Sequence, residues 1–344
     1  MKGGSAAIAC QTHIVNFNKL LGLLYMPLKP MPLNSMPMKQ LLAHAMTSLP
    51  YLLVLGVLLA WPPFQPFVLT NILVQAALFI AVVIIPAIKT NRMAYVDIGW
   101  PVGLFLIGVQ VLVFSDGDTA RASIVAALYM FAGARMGLMA LTGWRLGMLN
   151  KELPRYQYQR LRWDRRGWHH RPAMLFEVAT QGLANMSVLA IPAIVQAANP
   201  TAALSALEIA AYLLWVAAFS FEFTADAQKL KFARRMKAEQ KSRMHCAEGL
   251  WKYCRHPNYF GEWMVWNALC LATIPSLWYF AGSLPIWLMV SIFAGLLYLC
   301  FTMYQVLTYY SGAVPSEYYS AQKRPGYAEY QRTTNMFFPG RARR

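Results

Sequence analysis

Apolar stretches of about 20 residues recur along this chain, and short polar connections separate them. A helix of that length crosses the roughly 30 Å hydrocarbon layer of a bilayer. Because no water is available there, each crossing segment must satisfy its own backbone hydrogen bonds, as a helix does. The pattern therefore predicts an all-α integral membrane protein with eight transmembrane helices. Their approximate ranges are 41–61, 67–88, 97–114, 121–143, 174–197, 204–226, 259–281 and 284–310.

The connections between these helices alternate between basic and non-basic. Residues 62–66, 198–203 and 282–283 contain no Lys or Arg, whereas 145–171 and 229–255 are rich in both. The positive-inside rule places the basic connections on the cytoplasmic side, together with both termini. Whether the membrane is a bacterial inner membrane or one of the endoplasmic-reticulum type stays open.

The composition supports this class of protein. Hydrophobic residues make up 58% of the 344 residues and charged residues 13%, whereas a soluble protein carries about a quarter charged residues. The net charge of +17 is concentrated near helix ends, where attraction to anionic lipids explains most of it. We therefore expect membrane lipids as partners, no nucleic acid, and a monomer. The two large basic connections leave cations that could bind a phosphate-bearing cofactor.

Two common kinds of site are not indicated. The five cysteines are scattered, with no CxxC motif and no His/Cys cluster, so neither a metal site nor a disulfide framework is predicted. The chain contains neither GxGxxG nor GxxxxGK[ST], so no Rossmann or Walker phosphate site is predicted. A nucleotide would have to be held by the membrane helices and their connections.

The first 40 residues differ from the rest of the chain. They contain no apolar region followed by a cleavage site, so they are interpreted as a flexible cytoplasmic extension over 1–40. The alternative is a later start of translation, at Met36 or Met38. Residues 41–344 would form the transmembrane domain, with its cofactor half at about 204–344. Prolines interrupt the extension at Pro27, Pro30, Pro32 and Pro37.

The segment Arg-His-Pro-Asn-Tyr-Phe-Gly-Glu, from Arg255 to Glu262, lies where a basic connection meets the seventh helix. Pro257 suits the first helical position, where the backbone N–H groups have no intrahelical acceptor. With Arg255 and His256 alongside, this helix start favours an anionic ligand. Asn258 and Glu262 share one helical face, and a carboxylate inside an apolar helix needs a partner or a task. The motif predicts a cofactor site at the membrane rim; alternatively, the two cations only anchor the helix.

A second polar stripe, Glu222, Asp226 and Lys229, lies on one face at the end of the sixth helix. It is either a surface ion-pair stripe or a nucleotide site, in which the carboxylates accept ribose or amide hydrogens and Lys229 meets a phosphate. Binding is favoured because the stripe leads directly into the basic connection. An unpaired Arg at depth costs roughly 2.5–3.5 kcal/mol, so Arg135 of the fourth helix is expected to meet an acid or a phosphate.

Two further residues are candidates for chemistry. Asp97 opens the third helix and is either a helix cap or an acid that faces a shared cavity. Tyr129, like Tyr304 and Tyr309, could donate a proton.

Four segments together resemble the steroid 5α-reductase-like membrane proteins, most closely their bacterial-type branch of unknown function. The Arg-His-Pro stretch alone is also similar to those of sterol C=C reductases and isoprenylcysteine carboxyl methyltransferases. The resemblance implies a seven-helix bundle, preceded here by an extra helix at 41–61, whose C-terminal helices and cytoplasmic loops hold NADPH. The segments are 97–101, 222–229, 255–262 and 324–333.

The resemblance also implies roles for individual residues. Asn258 would hold the nicotinamide amide, Glu262 would lie near the ring, and Asp226 and Glu222 would bind the nucleotide further along. The family's steroid site uses a Gln-Glu pair, but here the nearest acid is Asp97 and no Gln precedes it. Phosphates would be met by Arg135, Arg145 and Arg171, and the set of cofactor-binding residues is completed by Lys229, Arg255, His256 and Tyr327.

The leading hypothesis is hydride transfer from NADPH to the β-carbon of a lipophilic conjugated enone, with a proton delivered to the α-carbon. Asp97, Glu262 and Tyr129 are the candidate catalytic residues, because charge developing on the carbonyl oxygen needs a hydrogen-bond donor. The alternative is a membrane methyltransferase, in which Arg-His-Pro and Glu317 hold S-adenosylmethionine. The basic connections favour NADPH, since S-adenosylmethionine carries no phosphate. A third possibility is a non-enzymatic lipid-binding or scaffold protein.

Overall fold

The computed structural model describes residues 38–115 and 117–341, and it confirms the predicted all-α fold with eight helices long and apolar enough to cross a membrane. The predicted extension over 1–40 lies outside the described residues, except for 38–40, which begin the first helix. The helices are α1 Met38–Leu59, α2 Pro62–Thr90, α3 Val96–Phe114, α4 Thr119–Arg145, α5 Pro154–Arg166, α6 His170–Ala197, α7 Ala206–Ala238, α8 Pro257–Gly282, α9 Ile286–Gln305, α10 Ala313–Lys323 and α11 Tyr327–Thr333.

Two of the long helices are interrupted, and a π turn follows a third. In α2 a wider π turn at Phe79–Ile84 precedes Pro86, whose ring nitrogen cannot donate to the preceding turn. The α6 helix breaks at Ser187 and restarts with Pro192 near the beginning of its second part. A π turn also follows α9, at Val306–Tyr310.

Glycines allow the two most extensively packed helix pairs, α3–α4 and α7–α8, to approach closely. A Cβ at Gly133 of α4 would lie 2.5 Å from the backbone nitrogen of Phe105. A Cβ at Gly261 of α8 would lie 2.7 Å from the Cβ of Glu222 on α7. Because the second contact is so close, the carboxylates of α7 lie directly beside the start of α8.

At one end of the bundle, called the basic end here, lie the connections 145–171 and 229–255. The first connection contains α5, which is anchored through Glu177 of α6. Glu177 accepts hydrogen bonds from Gln159 Nε2 at 2.6 Å and Trp163 Nε1 at 2.7 Å, and also from the Tyr310 hydroxyl. One buried carboxylate therefore ties α5 to α6 and to the end of the π turn after α9.

The outward faces of the long helices carry large exposed apolar side chains, as lipid contact requires. The eight helices make the chain a multi-pass integral membrane protein. The α7 helix continues beyond its predicted end at 226 to Ala238. At about 1.5 Å per residue its 33 residues are roughly 50 Å long, so its polar last part extends past the hydrocarbon layer at the basic end.

Candidate functional site

The centre of the candidate site is Arg135 of α4, which faces three carboxylates. It forms an ion pair with Glu222 and lies 3.6 Å from both Asp226 Oδ2 and Glu262 Oε2. Its guanidinium also stacks over the ring of Phe219 at 5.0 Å. The prediction that Arg135 meets an acid is confirmed. Glu222, Asp226 and Glu262 together carry two more negative charges than the one guanidinium balances when all three are ionised.

Buried polar atoms without a partner surround this ion pair. Asn258 donates from Nδ2 to Asp226 Oδ1 at 3.0 Å, but its Oδ1 is buried and has no hydrogen-bond partner. The same holds for Glu222 Oε2 and Arg135 Nε. Native proteins rarely leave such atoms unpaired, so these three mark a place where a ligand can complete the hydrogen bonding.

Aromatic side chains line the inner side of the carboxylates, one helical turn further into α8. Trp266 donates from Nε1 to Glu262 Oε1 at 3.0 Å. Its ring lies 6.1 Å from that of Trp100 and 6.2 Å from that of Tyr129. Tyr129 is fully buried and donates its hydroxyl hydrogen to the Leu189 carbonyl at 2.7 Å. Glu262 thus lies between the charged cluster and an apolar aromatic layer.

A basic cavity of about 450 Å³ lies on the opposite side, at the end of α7. It includes Lys229, one turn along α7 from Asp226, whose ammonium lies 4.5 Å above the Trp251 ring. Because α7 rises about 1.5 Å per residue, the cavity begins roughly 5 Å from the carboxylate cluster. Its lining contains no carboxylate among the described residues, and its cations are Lys229, Lys237, Lys241, Arg243 and Arg324.

Arg255 and His256 face away from this cavity, towards the C-terminal helices. Arg255 makes a two-pronged ion pair with Glu317, at 2.7 and 3.0 Å, and donates to the carbonyls of Gln331 and Thr334. His256 Nε2 lies 3.0 Å from Glu317 Oε1. Burial lowers the pKa of His256, although the neighbouring Glu317 acts against this. Both residues fasten α10 and α11 to the start of α8, and their predicted cofactor contact stays a prediction.

Asp97 belongs to a separate group of contacts around the start of α5. It accepts a hydrogen bond from the Tyr156 hydroxyl at 2.6 Å and lies 3.4 Å from Arg155. Burial and then Asp97 raise the pKa of Tyr156, and Asp97 raises that of Arg155. Tyr259, in the first turn of α8, lines the same cavity as Arg155, so Asp97 and Arg155 lie close to the start of α8.

The other candidate residues lie at the edge of this region. Arg145 and Arg171 are exposed at the basic end, at the last residue of α4 and in the first turn of α6. Tyr327 is buried at the start of α11, with its ring 5.5 Å from that of His245. The sequence did not single out Tyr259 or Arg324, although they lie in the segments 255–262 and 324–333. Tyrosines near helix ends usually anchor the interface, so Tyr259 carried no separate signal.

A family model described as a protein of unknown function, DUF1295, matches residues 82–334 of the chain. No curated protein matches the chain. No solved structure matches the chain either.

Proposed function

The chain belongs to the DUF1295 family, which is associated with steroid 5α-reductase-like proteins, and we propose that it is an NADPH-dependent membrane reductase. Its substrate would be a lipophilic enone, similar to a 3-oxo-Δ4-steroid, whose conjugated C=C bond is reduced. One observation carries the proposal: the unpartnered Asn258 carbonyl and three carboxylates around Arg135 adjoin a cavity lined by five cations.

The residues at this place offer groups for the carboxamide, the ribose hydroxyls and the phosphates of NADPH. The free Asn258 Oδ1 is an acceptor for the N–H of a carboxamide, and Asp226 and Glu222 are acceptors for ribose hydroxyls. Lys229 and Lys237 stand in the cavity, where phosphates would find charge-assisted hydrogen bonds. From Glu222 to Lys237 the α7 helix rises about 22 Å, which suits an elongated dinucleotide. When bound, NADPH would supply a hydride to the β-carbon of the enone.

The contribution of the protein itself centres on Glu262. Its carboxyl is oriented by Trp266 Nε1 and lies next to Arg135, at the boundary between the charged cluster and the aromatic layer. A proton on Glu262 would remove one of the two surplus negative charges of the cluster. A protonated carboxyl there could donate to the developing oxyanion of the substrate. Asp97 and Tyr129 remain proposed proton donors, Tyr129 from within the aromatic layer.

The two reactants would arrive from different phases. The positive-inside rule puts the basic end, with both termini, in the cytoplasm, so NADPH would enter from there. The lipophilic substrate would come from the bilayer towards Trp100, Tyr129 and Trp266. Because the whole proposed site lies within one chain, a monomer would suffice.

A methyltransferase that uses S-adenosylmethionine is the alternative, and the same geometry supports it less. Its expected anchors, Arg255, His256 and Glu317, are bonded to one another. S-adenosylmethionine carries no phosphate that the five cations of the cavity could bind, and it is itself a cation.

The first test compares ligands by thermal stability of the detergent-purified protein. A ligand at 100 times its dissociation constant stabilises the folded state by about 2.7 kcal/mol. We expect NADPH to raise the melting temperature, NADH to act more weakly because it lacks one phosphate, and S-adenosylmethionine to have no effect. A rise with S-adenosylmethionine alone would make the methyltransferase the better proposal.

The second test is the substitution Glu262→Gln, which keeps the shape of the side chain and removes its proton chemistry. NADPH oxidation with enone acceptors should be abolished, while the NADPH-induced rise in melting temperature is retained. Glu329→Gln, at an exposed position of α11, is the matched control and should leave both readouts unchanged. Wild-type turnover in Glu262→Gln would refute the role of this carboxyl.

A further inference from the structure

A second cavity, of about 280 Å³, lies at the basic end between the start of α5 and one face of α10. The reductase proposal does not use it. Its lining combines hydroxyl groups with cations and contains no carboxylate among the described residues. The lining side chains with polar or charged groups are Arg155, Tyr259, Ser311, Ser316, Tyr319, Ser320, Lys323 and Arg324.

The α10 helix presents one face to this cavity. Ser316, Tyr319, Ser320 and Lys323 recur at spacings of three and four residues, which places them side by side on a helix. The chain reaches this position through a sharp break at Gly312, where a Cβ would lie only 1.9 Å from the Leu307 carbonyl oxygen. The backbone turn at Gly312 therefore fixes the position of this face of α10.

Arg155 stands on the opposite wall of the cavity, at the start of α5. It is held in place by Asp97 at 3.4 Å, and its side chain is 44% exposed, so it can still contact a ligand. Lys323 lies 5.6 Å above the Tyr319 ring, and Arg324 Nη1 is 3.4 Å from Ser320 Oγ. Three cations and several hydroxyl donors around a space of this size match the oxygens of a phosphate.

We propose that this α5–α10 cavity is an oxyanion site for a phosphate group, separate from the cavity assigned to NADPH. The α10 helix follows the membrane-crossing helix α9 and its π turn, whose tyrosines Tyr304 and Tyr309 are of the kind that anchors at the lipid interface. The phosphate of a lipid headgroup lies at the same height. Free phosphate from solution offers the same chemistry.

Arg324 belongs to the walls of both cavities. An anion in either cavity can use its guanidinium, whereas Arg155 and Lys323 serve only the α5–α10 cavity. In the other cavity, Lys237 and Arg243 form the matching pair of one lysine and one arginine. This arrangement allows the two sites to be separated by substitution.

The experiment uses the full-length protein with Arg155→Gln and Lys323→Gln combined, and with Lys237→Gln and Arg243→Gln as the matched control. Retention of phosphatidylglycerol is measured by native mass spectrometry, and thermal stabilisation by inorganic phosphate is measured in lipid-free detergent. Loss of two charge-assisted contacts should weaken phosphate binding on the order of 100-fold. The control pair should keep phosphate binding and lose the NADPH-induced shift.

The sources of phosphate are distinguished by the two probes. Retained phosphatidylglycerol that depends on Arg155 and Lys323 identifies a lipid headgroup, whereas stabilisation by inorganic phosphate alone identifies a free anion. Equal binding in wild type and in the Arg155/Lys323 variant would overturn the proposal, as would equal losses in both double variants. Lys323→Gln alone, at an exposed side chain, gives a smaller loss in the same direction if the combined variant does not fold. Failure of NADPH to bind would leave this result intact.

Discussion

The most completely bonded charge in the described part of the chain is Arg121, far from the candidate site. Arg121 is 1% exposed and donates to Glu208 Oε1 at 2.6 Å. Its other N–H groups donate to the backbone carbonyls of Asn199, Thr201 and Ala203. One side chain therefore fixes the connection between α6 and α7 at the end opposite the basic end.

Substitution of Arg121 should be strongly destabilising. Arg121→Gln leaves Glu208 buried without its charge partner, and the loss of one member of a buried pair costs about 3–5 kcal/mol. Arg332→Gln is the control, because Arg332 and Glu329 form an exposed pair, and such pairs are worth about 0–1 kcal/mol. Denaturation of both variants in detergent measures the difference. Equal stability of the two would show that Arg121 is dispensable.

His256 makes stability depend on pH. Burial lowers its pKa from 6.5, so the folded protein holds it neutral where the unfolded chain would bind a proton. Its contribution to stability is present above about pH 6.5 and is lost as the pH falls towards the lowered pKa of the folded state. The bond to Glu317 opposes this lowering of the pKa, whereas the positive charges of Lys229 and Arg255 reinforce it.

The melting temperature should therefore fall as the pH is lowered through about 6.5, and His256→Gln should reduce this fall. Part of the fall in melting temperature should persist in His256→Gln, because burial also lowers the pKa of His245. Melting scans of both proteins across this pH range are the measurement. The same slope in both would mean that His256 does not titrate differently on folding.

Among the elements, the α7–α8 pair decides the geometry of the candidate site. Glu222 and Asp226 come from α7, and Asn258 and Glu262 come from α8. Their contacts exist because Gly261 leaves no side chain between the two helices.

Gly261→Ala should separate the two helices locally. The added methyl would meet the Cβ, Cα and backbone nitrogen of Glu222 at 2.7–2.9 Å, and overpacking of this kind costs about 1–3 kcal/mol. The NADPH-induced rise in melting temperature should shrink as well, because the hydrogen bond from Asn258 to Asp226 lengthens. Gly56→Ala in α1 is the control: its Cβ would have no neighbour within 4 Å, and Ala favours the helix by about 1 kcal/mol. Unchanged NADPH binding in Gly261→Ala would show that the site does not depend on the close contact at Gly261.

Helix boundaries show what hydrophobicity can and cannot detect. The predicted end of the sixth crossing helix at 226 marks where apolar residues stop, but α7 continues to Ala238. The turns beyond residue 226 are polar and are stabilised by backbone hydrogen bonds in water. A pattern of apolar residues cannot detect such turns. They carry Lys229 and Lys237, so part of the basic cavity stands on a region that the apolar pattern excluded.

At the scale of the whole molecule, the orientation in the membrane is a prediction with a direct test. In a cysteine-free background, Ser242→Cys lies at the basic end and Thr201→Cys at the opposite end, and both positions are exposed. The positive-inside rule predicts that a membrane-impermeant maleimide labels Thr201→Cys in intact cells and Ser242→Cys only after permeabilisation. The reversed pattern would place the basic end and both termini outside the cytoplasm.

Part of the candidate site could be predicted from the sequence because its residues stand on single helices. The spacings of Glu222 with Asp226, and of Asn258 with Glu262, follow from the helical period alone. That Arg135 needs an acid followed from the cost of a charge in an apolar helix. Which acids it meets could not be predicted, since Glu222 lies 87 positions away along the chain.

The roles of Arg255 and Asp97 show the limit more clearly. The helix start predicts a ligand contact for Arg255, and this stays a prediction; the bond from its guanidinium to Glu317, 62 positions away, could not be predicted from the sequence. For Asp97 the sequence indicates a helix cap or an acid in a cavity, but not its hydrogen bond from Tyr156, which lies 59 positions away.

The sequence by itself determined the all-α class, the eight crossing helices and the alternation of basic connections. These follow from local rules, because a bilayer forces each apolar segment of sufficient length to bond its own backbone. The tertiary structure decided which polar groups face one another, where the two cavities lie, and which cations line them. Such contacts depend on the rotation and approach of helices distant in the chain. In this protein, Gly261 sets that approach for α7 and α8.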